Sequence, residues 1–382
     1  MKVIYSIGST FGGVGIGNLA SRAGRGIEKN KALYKLICLD YKKTSIPKEK
    51  IKSFWPLKYL FWYPLKGLQR YIFTKYNPYL FLDNFYDFMS LIHVKKCDIF
   101  HSWRGHSYRA IKKAKRLGAI TIVENASSHP ITQSKILQEE YKKYGLKFSA
   151  YKKKSLSRAI KELENADYIT IPSDFVEKSF LDNGFPKKKL IKIPFGVDIK
   201  RFSPKKSKKD DKFRAIFVGS IQLRKGVQYL LQAWDELKLK NAELIVVGRV
   251  WDDAKEIVKQ YKENPSIKFP GFMDLKEIYS ESDVFVFPSI EEGSALVTYE
   301  AMASGLPIIT TFNSGAVTRN GKDGFIIPIR DIKVLKEKIK YFYDHPKQIE
   351  KMGKSARKYV EKFTWEKYGD NLVKEYKKIS KS

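Results

Sequence analysis

Cysteine is scarce: Cys38 and Cys97 are the only two in 382 residues. Two thiols without a ligand-like spacing make neither a disulfide framework nor a metal site, and they suit a reducing compartment. Long apolar runs are also missing. No stretch of about 18 uncharged apolar residues occurs, so no membrane-spanning helix is expected. The opening run Met1–Gly8 is too short for a secretion signal and reads as a first strand. The expected compartment is the cytoplasm. Negative charge is in deficit, with 41 acidic residues against 73 Lys and Arg and a net charge of +32. That excess predicts attraction to an anion, whether nucleic acid, a membrane surface or a phosphorylated small molecule.

What is present is ordinary for a folded protein. The chain is 43% hydrophobic and 14% aromatic, which argues against disorder, and 382 residues exceed what one core usually serves. Short apolar runs recur at 3–7, 36–39, 98–100, 120–123 and 168–171, then at 215–218, 244–247, 284–287, 307–310 and 325–327. They are apolar on both faces, as parallel strands covered by helices are. Amphipathic stretches such as Val227–Leu237 and Lys333–Tyr343 lie between them. This alternation predicts an α/β fold of doubly wound parallel sheets. Pro204 and the charged run 205–212 separate two such series. The expected architecture is therefore two Rossmann-like domains, 1–196 and 197–364, facing across a cleft into which strand C-terminal ends point.

Two segments of the first half stand out. Between Phe54 and Phe88 aromatics are dense, among them Trp55, Tyr59, Phe61, Trp62, Tyr63, Tyr71, Phe73, Tyr76, Phe81 and Phe85, with Lys52, Lys58, Lys66, Arg70 and Lys75 interleaved. They read either as helices packing onto the first sheet or as an interfacial surface for anionic lipid. The first turn, Gly8–Ala20, is rich in glycine, and Gly12, Gly13 and Gly15 would let backbone N–H groups approach a phosphate at a helix start. Gly15-x-Gly17-x-x-Ala20 with Asp40 further on also fits a loose dinucleotide fingerprint, so a nicotinamide-dependent oxidoreductase is a rival reading.

The second half is more specific. In Pro288-Ser289-Ile290-Glu291-Glu292-Gly293-Ser294-Ala295-Leu296, Glu292 lies in a turn after a strand, Ser294 can cap the next helix, and Glu300 follows about two turns later on nearly the same face. Two carboxylates at one helix start can bind vicinal hydroxyls, while the helix N-terminus suits a phosphate. Glu292-x7-Glu300, with Pro288-Ser289 before it and Ala301-Met302-Ala303-Ser304-Gly305-Leu306-Pro307 after it, resembles glycosyltransferase family four. Phe217–Gly226, Leu244–Gly248, Phe269–Phe272, Asn320–Phe325 and Phe363–Glu366 are similar to further segments of that family in the same order.

The resemblance implies the GT-B fold, with residues 365–382 crossing back onto the first domain. It implies glycosyl transfer from a nucleotide sugar with retained configuration, no metal and no other cofactor. Arg224 and Lys225 would hold the donor diphosphate, Glu292 the sugar hydroxyls and Glu300 the ribose. Backbone N–H groups around Gly293, Ser294, Ala295 and Leu296 would meet sugar and phosphate, and Met273 would line the base pocket. The acceptor would be lipid-linked or an oligosaccharide, handled at an anionic membrane surface on the cytoplasmic side. Gly219-Ser220 departs from the family's usual Gly-Arg, so one diphosphate-binding arginine is missing.

In the first half, His129 just past a strand end is similar to the family's histidine at the reaction centre, and Glu124 is a second candidate there. His101, Arg104 and His106 follow another strand end and are candidates for the acceptor side. Asp210-Asp211 and Asp252-Asp253 sit on charged segments expected to be exposed, and no Asp-x-Asp occurs in a strand-end context. Lysines spread over the whole chain rather than along one aromatic-studded face, so no nucleic-acid partner is expected.

Overall fold

The structure, a computed structural model, describes residues 1–57, 60, 64, 78–148, 153–204 and 210–381. Of the aromatic-rich segment, Tyr59, Phe61, Trp62, Tyr63, Tyr71, Phe73 and Tyr76, with Lys58, Lys66, Arg70 and Lys75, lie outside the described residues, as do 205–209 of the charged run.

Seven strands form the first sheet: β1 (Val3–Phe11), β2 (Leu33–Tyr41), β3 (Ile51–Ser53), β4 (Ile99–Trp103), β5 (Ile120–Glu124), β6 (Tyr168–Ile171) and β7 (Leu190–Lys192), in the order β3-β2-β1-β4-β5-β6-β7. Six form the second: β8 (Phe213–Val218), β9 (Ala242–Val247), β10 (Ile267–Gly271), β11 (Val284–Phe287), β12 (Ile308–Thr311) and β13 (Gly324–Ile327), in the order β10-β9-β8-β11-β12-β13. Within both sheets the described strands pair in parallel, Tyr5 opposite His101 and Phe285 opposite Ile308 among them. Strand order reverses between β1 and β4 and again between β8 and β11. Those two crevices are where doubly wound sheets bind ligands.

The inner strands are the runs legible in the sequence. Two strands were not expected, β3 and β7, and both lie at the edges of the first sheet; the end of β10, an edge of the second, was expected from the Phe269–Phe272 resemblance. Edge strands are short and carry charge or proline to block further pairing, as Lys52, Lys192, Lys268 and Pro270 do here.

In the first domain the connecting helices are α1 (Ile16–Lys29), α2 (Pro78–Ser90), α3 (Tyr108–Arg116), α4 (Pro130–Lys143), α5 (Lys153–Asn165) and α6 (Asp174–Leu181). In the second they are α7 (Val227–Leu237), α8 (Lys255–Tyr261), α9 (Leu275–Ser280), α10 (Leu296–Ala303), α11 (Ile332–Asp344) and α12 (Pro346–Val360). The chain ends in α13 (Trp365–Ile379), which starts at a Thr364 side chain accepting from Lys367 N at 3.2 Å. This helix packs on the first sheet, burying Tyr368, Leu372, Val373 and Tyr376 against the β1 side of its core. It crosses α1 at two glycines: a Cβ on Gly26 would lie 2.5 Å from the Gly369 Cα. The chain thus passes between the domains twice, and the two passes touch where Val197 bridges Thr364. No helix among the described residues is long and apolar enough to cross a membrane.

Candidate active site

Both sheets aim strand C-termini at one cleft. A cavity of about 560 Å³ opens there, lined from the second domain by Gly219, Ser220, Arg224, Lys225 and Glu292, and from the first by Gly15, Arg104, Glu124 and Gln133. Arg224 and Lys225 sit in a 3₁₀ turn, Leu223–Lys225, that ends at Gly226. Gly226 has φ 72°, and a Cβ there would strike the Pro288 carbonyl at 1.9 Å. A glycine is required for this turn to press against the loop that carries Glu292.

The cations and the acid are already paired. Arg224 Nη2 donates to Glu292 Oε1 at 2.8 Å, and the Lys225 ammonium contacts the same oxygen. Burial and the neighbouring Arg224 pull the Lys225 ammonium well below its ordinary pKa. Such a pair in a half-closed cleft presents positive charge and a hydroxyl-binding oxygen side by side.

The loop differs from expectation in two respects. Helix α10 begins at Leu296, and Ser294 does not cap it; its hydroxyl pairs with Tyr299 OH at 2.9 Å. The Ala295 N–H donates to the Ser314 carbonyl at 3.0 Å, so it is not available to a ligand. Ser294, Ala295 and Leu296 nevertheless line the cavity. Gly293 is pressed between domains: a Cβ on it would overlap the Ala126 carbonyl, and its own carbonyl accepts from Ser173 Oγ at 2.5 Å.

A second hollow of about 680 Å³ adjoins the first, sharing Val218, Gly219 and Ser220. Met273 lines it, as do Phe272, Trp251, Arg249 and Arg201. Trp251 and Phe272 are 52% and 83% exposed, an apolar outlay that suits a flat ring as occupant. No local motif announced Trp251 or Arg201. Glu300 lines neither hollow. It is mostly buried, burial pushes its carboxyl up to about 7, and Arg201 pulls it back down.

Among first-domain candidates, Gly15, Arg104 and Glu124 reach the cavity and the others do not. Gly12 and Gly13 stay behind the turn, where Gly12 N bonds the Gly17 carbonyl at 2.8 Å and Gly13 N the Thr10 carbonyl at 2.9 Å. Gly17 serves packing, since its Cβ would lie 2.2 Å from the Thr10 carbonyl. Glu124 ends β5 and accepts from Tyr368 OH at 2.6 Å and Tyr5 OH at 3.0 Å, while Arg104 Nη2 donates to Ser127 Oγ at 3.1 Å.

The three histidines lie away from the cavity. His129 is 1% exposed and edges onto Phe180 and Phe185; its ring accepts from Ile131 N and so caps α4. Burial and the nearby Arg104 lower it to about 4, so at neutral pH it is an uncharged core residue outside the cavity. His101 is fully buried behind Glu124, its Nδ1 2.5 Å from Tyr376 OH and its Nε2 3.3 Å from Glu124 Oε2. His106 lies under Gly8, 3.6 Å from Asp83, and burial lowers it to about 4. Asp253 is another correction: it is half-buried, accepting from Tyr141 OH of α4 and from Leu223 N.

Contacts across the cleft are the feature that local reading missed. Glu140 of α4, fully buried, accepts from Gln228 at 2.8 Å, Tyr229 at 2.8 Å and Arg330 Nε at 2.6 Å. Glu291, also fully buried, accepts from Ser128 and Gln133 of the first domain. It is an interdomain tie.

Residues 198–359 match the family model described as glycosyl transferases group 1. Spore coat protein SA of Bacillus subtilis is 28% identical over 60% of this chain and 70% of its own length. The capsular polysaccharide biosynthesis glycosyltransferase CapM of Staphylococcus aureus is 28% identical over 51% of this chain and 57% of its own. The match thus spans little more than half of CapM. The crystal structure of Anabaena HepE in complex with UDP and glucose superposes with a TM-score of 0.68 over 99% of this chain and 100% of that one, at 15% identity, a likeness of fold. The paired sheets share the fold of that solved structure, and the Glu292–Glu300 segment lies in the part of the chain, residues 198–359, that is similar to the group 1 glycosyl transferases.

Proposed function

We propose that this chain moves a sugar from a nucleotide-sugar donor to a saccharide or lipid-linked acceptor during cell-envelope polysaccharide assembly. The single observation that carries the reading is the convergence of Arg224, Lys225 and Glu292 on one cavity that continues into the hollow lined by Met273, Trp251 and Phe272. A nucleotide sugar has that order of parts: base, diphosphate, sugar. The base would lie between Trp251 and Phe272, the diphosphate against Arg224 and Lys225, and the sugar hydroxyls on Glu292. CapM, by its name a capsular polysaccharide glycosyltransferase, supports the process assigned.

Cleaving a sugar–phosphate bond builds negative charge on the leaving diphosphate. Fixed cations in a water-poor cleft stabilise that charge without a metal. Both cations pair with Glu292; a diphosphate bound beside them would compete for them and free the carboxylate to meet the sugar. Glu124 faces the same cavity from the acceptor side. With no side-chain nucleophile assigned, retention would follow from attack on the face the diphosphate leaves, the departing phosphate oxygen taking the acceptor's proton. The enzyme would work on the cytoplasmic face of the membrane, held there by its charge and by apolar side chains such as Phe81, Phe88 and Ile92, each more than half exposed.

A thermal-shift screen against nucleoside diphosphates and their sugars, followed by transfer assays in EDTA with NMR of the anomeric proton, tests this. Stabilisation by at least one nucleoside diphosphate and a retained anomer formed in chelator are expected. Activity that requires added Mg²⁺ or Mn²⁺, or an inverted product, would overturn the mechanism; no nucleotide binding at all would overturn the function.

A further inference from the structure

Two adjacent carboxylates share one arginine. Arg224 Nη2 donates to Glu292, whereas its Nε donates to the Glu291 backbone carbonyl at 2.9 Å and lies 3.1 Å from Glu291 Oε2. Glu292 lines the cavity, but Glu291 points into the seam between the domains and is wholly out of water. There its Oε1 accepts from Ser128 N at 3.2 Å and Ser128 Oγ at 2.7 Å, and its Oε2 from Gln133 Nε2 at 3.0 Å. Donors from both domains therefore converge on one side chain. Only a carboxylate, an acceptor on both oxygens, can receive them all; glutamine would oppose one of them with its own N–H.

We infer that Glu291 is a positioning residue through which the first domain sets the orientation of Arg224 for the donor diphosphate. The inference rests on the glycosyltransferase reading of the cavity. With Ser128 and Gln133 seated, the Glu291 carboxylate is immobile and commits one edge of the guanidinium, which leaves the Nη edge fixed toward Glu292 and the cavity. When the domains part, Glu291 loses its first-domain donors and Arg224 its fixed partner. Nucleotide affinity and domain closure then strengthen one another by the same factor, as linked equilibria must. The geometry is enforced next door, where the carbonyl of Ala126 presses on Gly293. Burial alone would push the Glu291 carboxyl up, but Arg224 and the bonds from Gln133 and Ser128 hold it below its ordinary value, so it stays charged.

The test uses the full chain and UDP, or whichever nucleoside diphosphate stabilises the wild type most. Ser128→Ala and Glu291→Gln are compared with Arg330→Met, which breaks a different interdomain tie at Glu140. Nucleotide affinity is read by calorimetry and closure by small-angle scattering. Ser128→Ala is expected to weaken the nucleotide about fivefold, the worth of one hydrogen bond, and Glu291→Gln at least tenfold, while Arg330→Met, which acts on closure alone and leaves the partners of Arg224 in place, weakens it less than Ser128→Ala does. Since Ser128→Ala leaves the charge pair intact, it remains informative should Glu291→Gln fail to fold. Equal weakening by Arg330→Met and Ser128→Ala would show that closure in general, not Glu291, governs affinity. Unchanged affinity in Ser128→Ala and Glu291→Gln would also overturn the inference. A wild type that binds no nucleoside diphosphate would instead sink the underlying functional reading.

Discussion

Glu300 is held mostly away from water, and its carboxyl, ordinarily at 4.5, is pushed up to about 7. The folded chain therefore keeps a proton there that the unfolded chain releases. The stability this contributes is complete below about pH 4 and lost as pH rises to about 7. Glu300→Gln is expected to stabilise the ligand-free protein by about 3 kcal/mol at pH 8 and by less than about 1 kcal/mol at pH 5; urea titrations at the two pH values check it. Lys225 poses the opposite case, a cation in the cleft whose pKa burial lowers. Lys225→Met should lower nucleoside diphosphate affinity roughly tenfold or more, the worth of a charge-assisted hydrogen bond, with little change in Tm, because Arg224 still holds Glu292. Calorimetry and thermal melts together read this. At this scale the family resemblance was informative: Arg224, Lys225, Glu292 and Met273, carried over from it, line the two adjoining hollows. It misled at the histidines, because a strand-end position does not say which way a ring points, and His129 turns back onto Phe180. Glu291 was illegible because its partners Ser128 and Gln133 are 163 and 158 residues distant.

Among elements, the inner strands were readable from their two-sided apolar runs, and α7 and α11 from their amphipathic period. The edge strands β3 and β7 were not, since the charge that keeps them from pairing further also hides them. The junction of α1 and α13 depends on a pair of glycines with no side chain between two backbones. A Cβ on Gly369 would lie 2.6 Å from the Gly26 Cα, and neither backbone can give way cheaply. Gly369→Ala should therefore destabilise the protein by about 1–3 kcal/mol through overpacking. The same substitution at Gly321, where a Cβ would meet nothing within 4 Å, tests only the strain of its φ of 73° and serves as the comparison. Chemical denaturation of both variants measures the difference.

The molecule as a whole carries a net charge of +32 and a patch of exposed phenylalanine and isoleucine on and just after α2. Binding to vesicles containing anionic lipid should therefore exceed binding to neutral ones and should weaken as salt rises from about 0.05 to 0.5 M, where the Debye length shrinks below the span of the patch. Flotation at both salt concentrations reads it, and equal partitioning onto neutral vesicles would remove the electrostatic part.

The double passage of the chain between domains has its own consequence. A protease that cut once between β7 and β8 would not release two independent halves, because α13 would still be clasped against α1 and the first sheet. The nicked protein should elute from a sizing column at its intact mass and come apart only in denaturant.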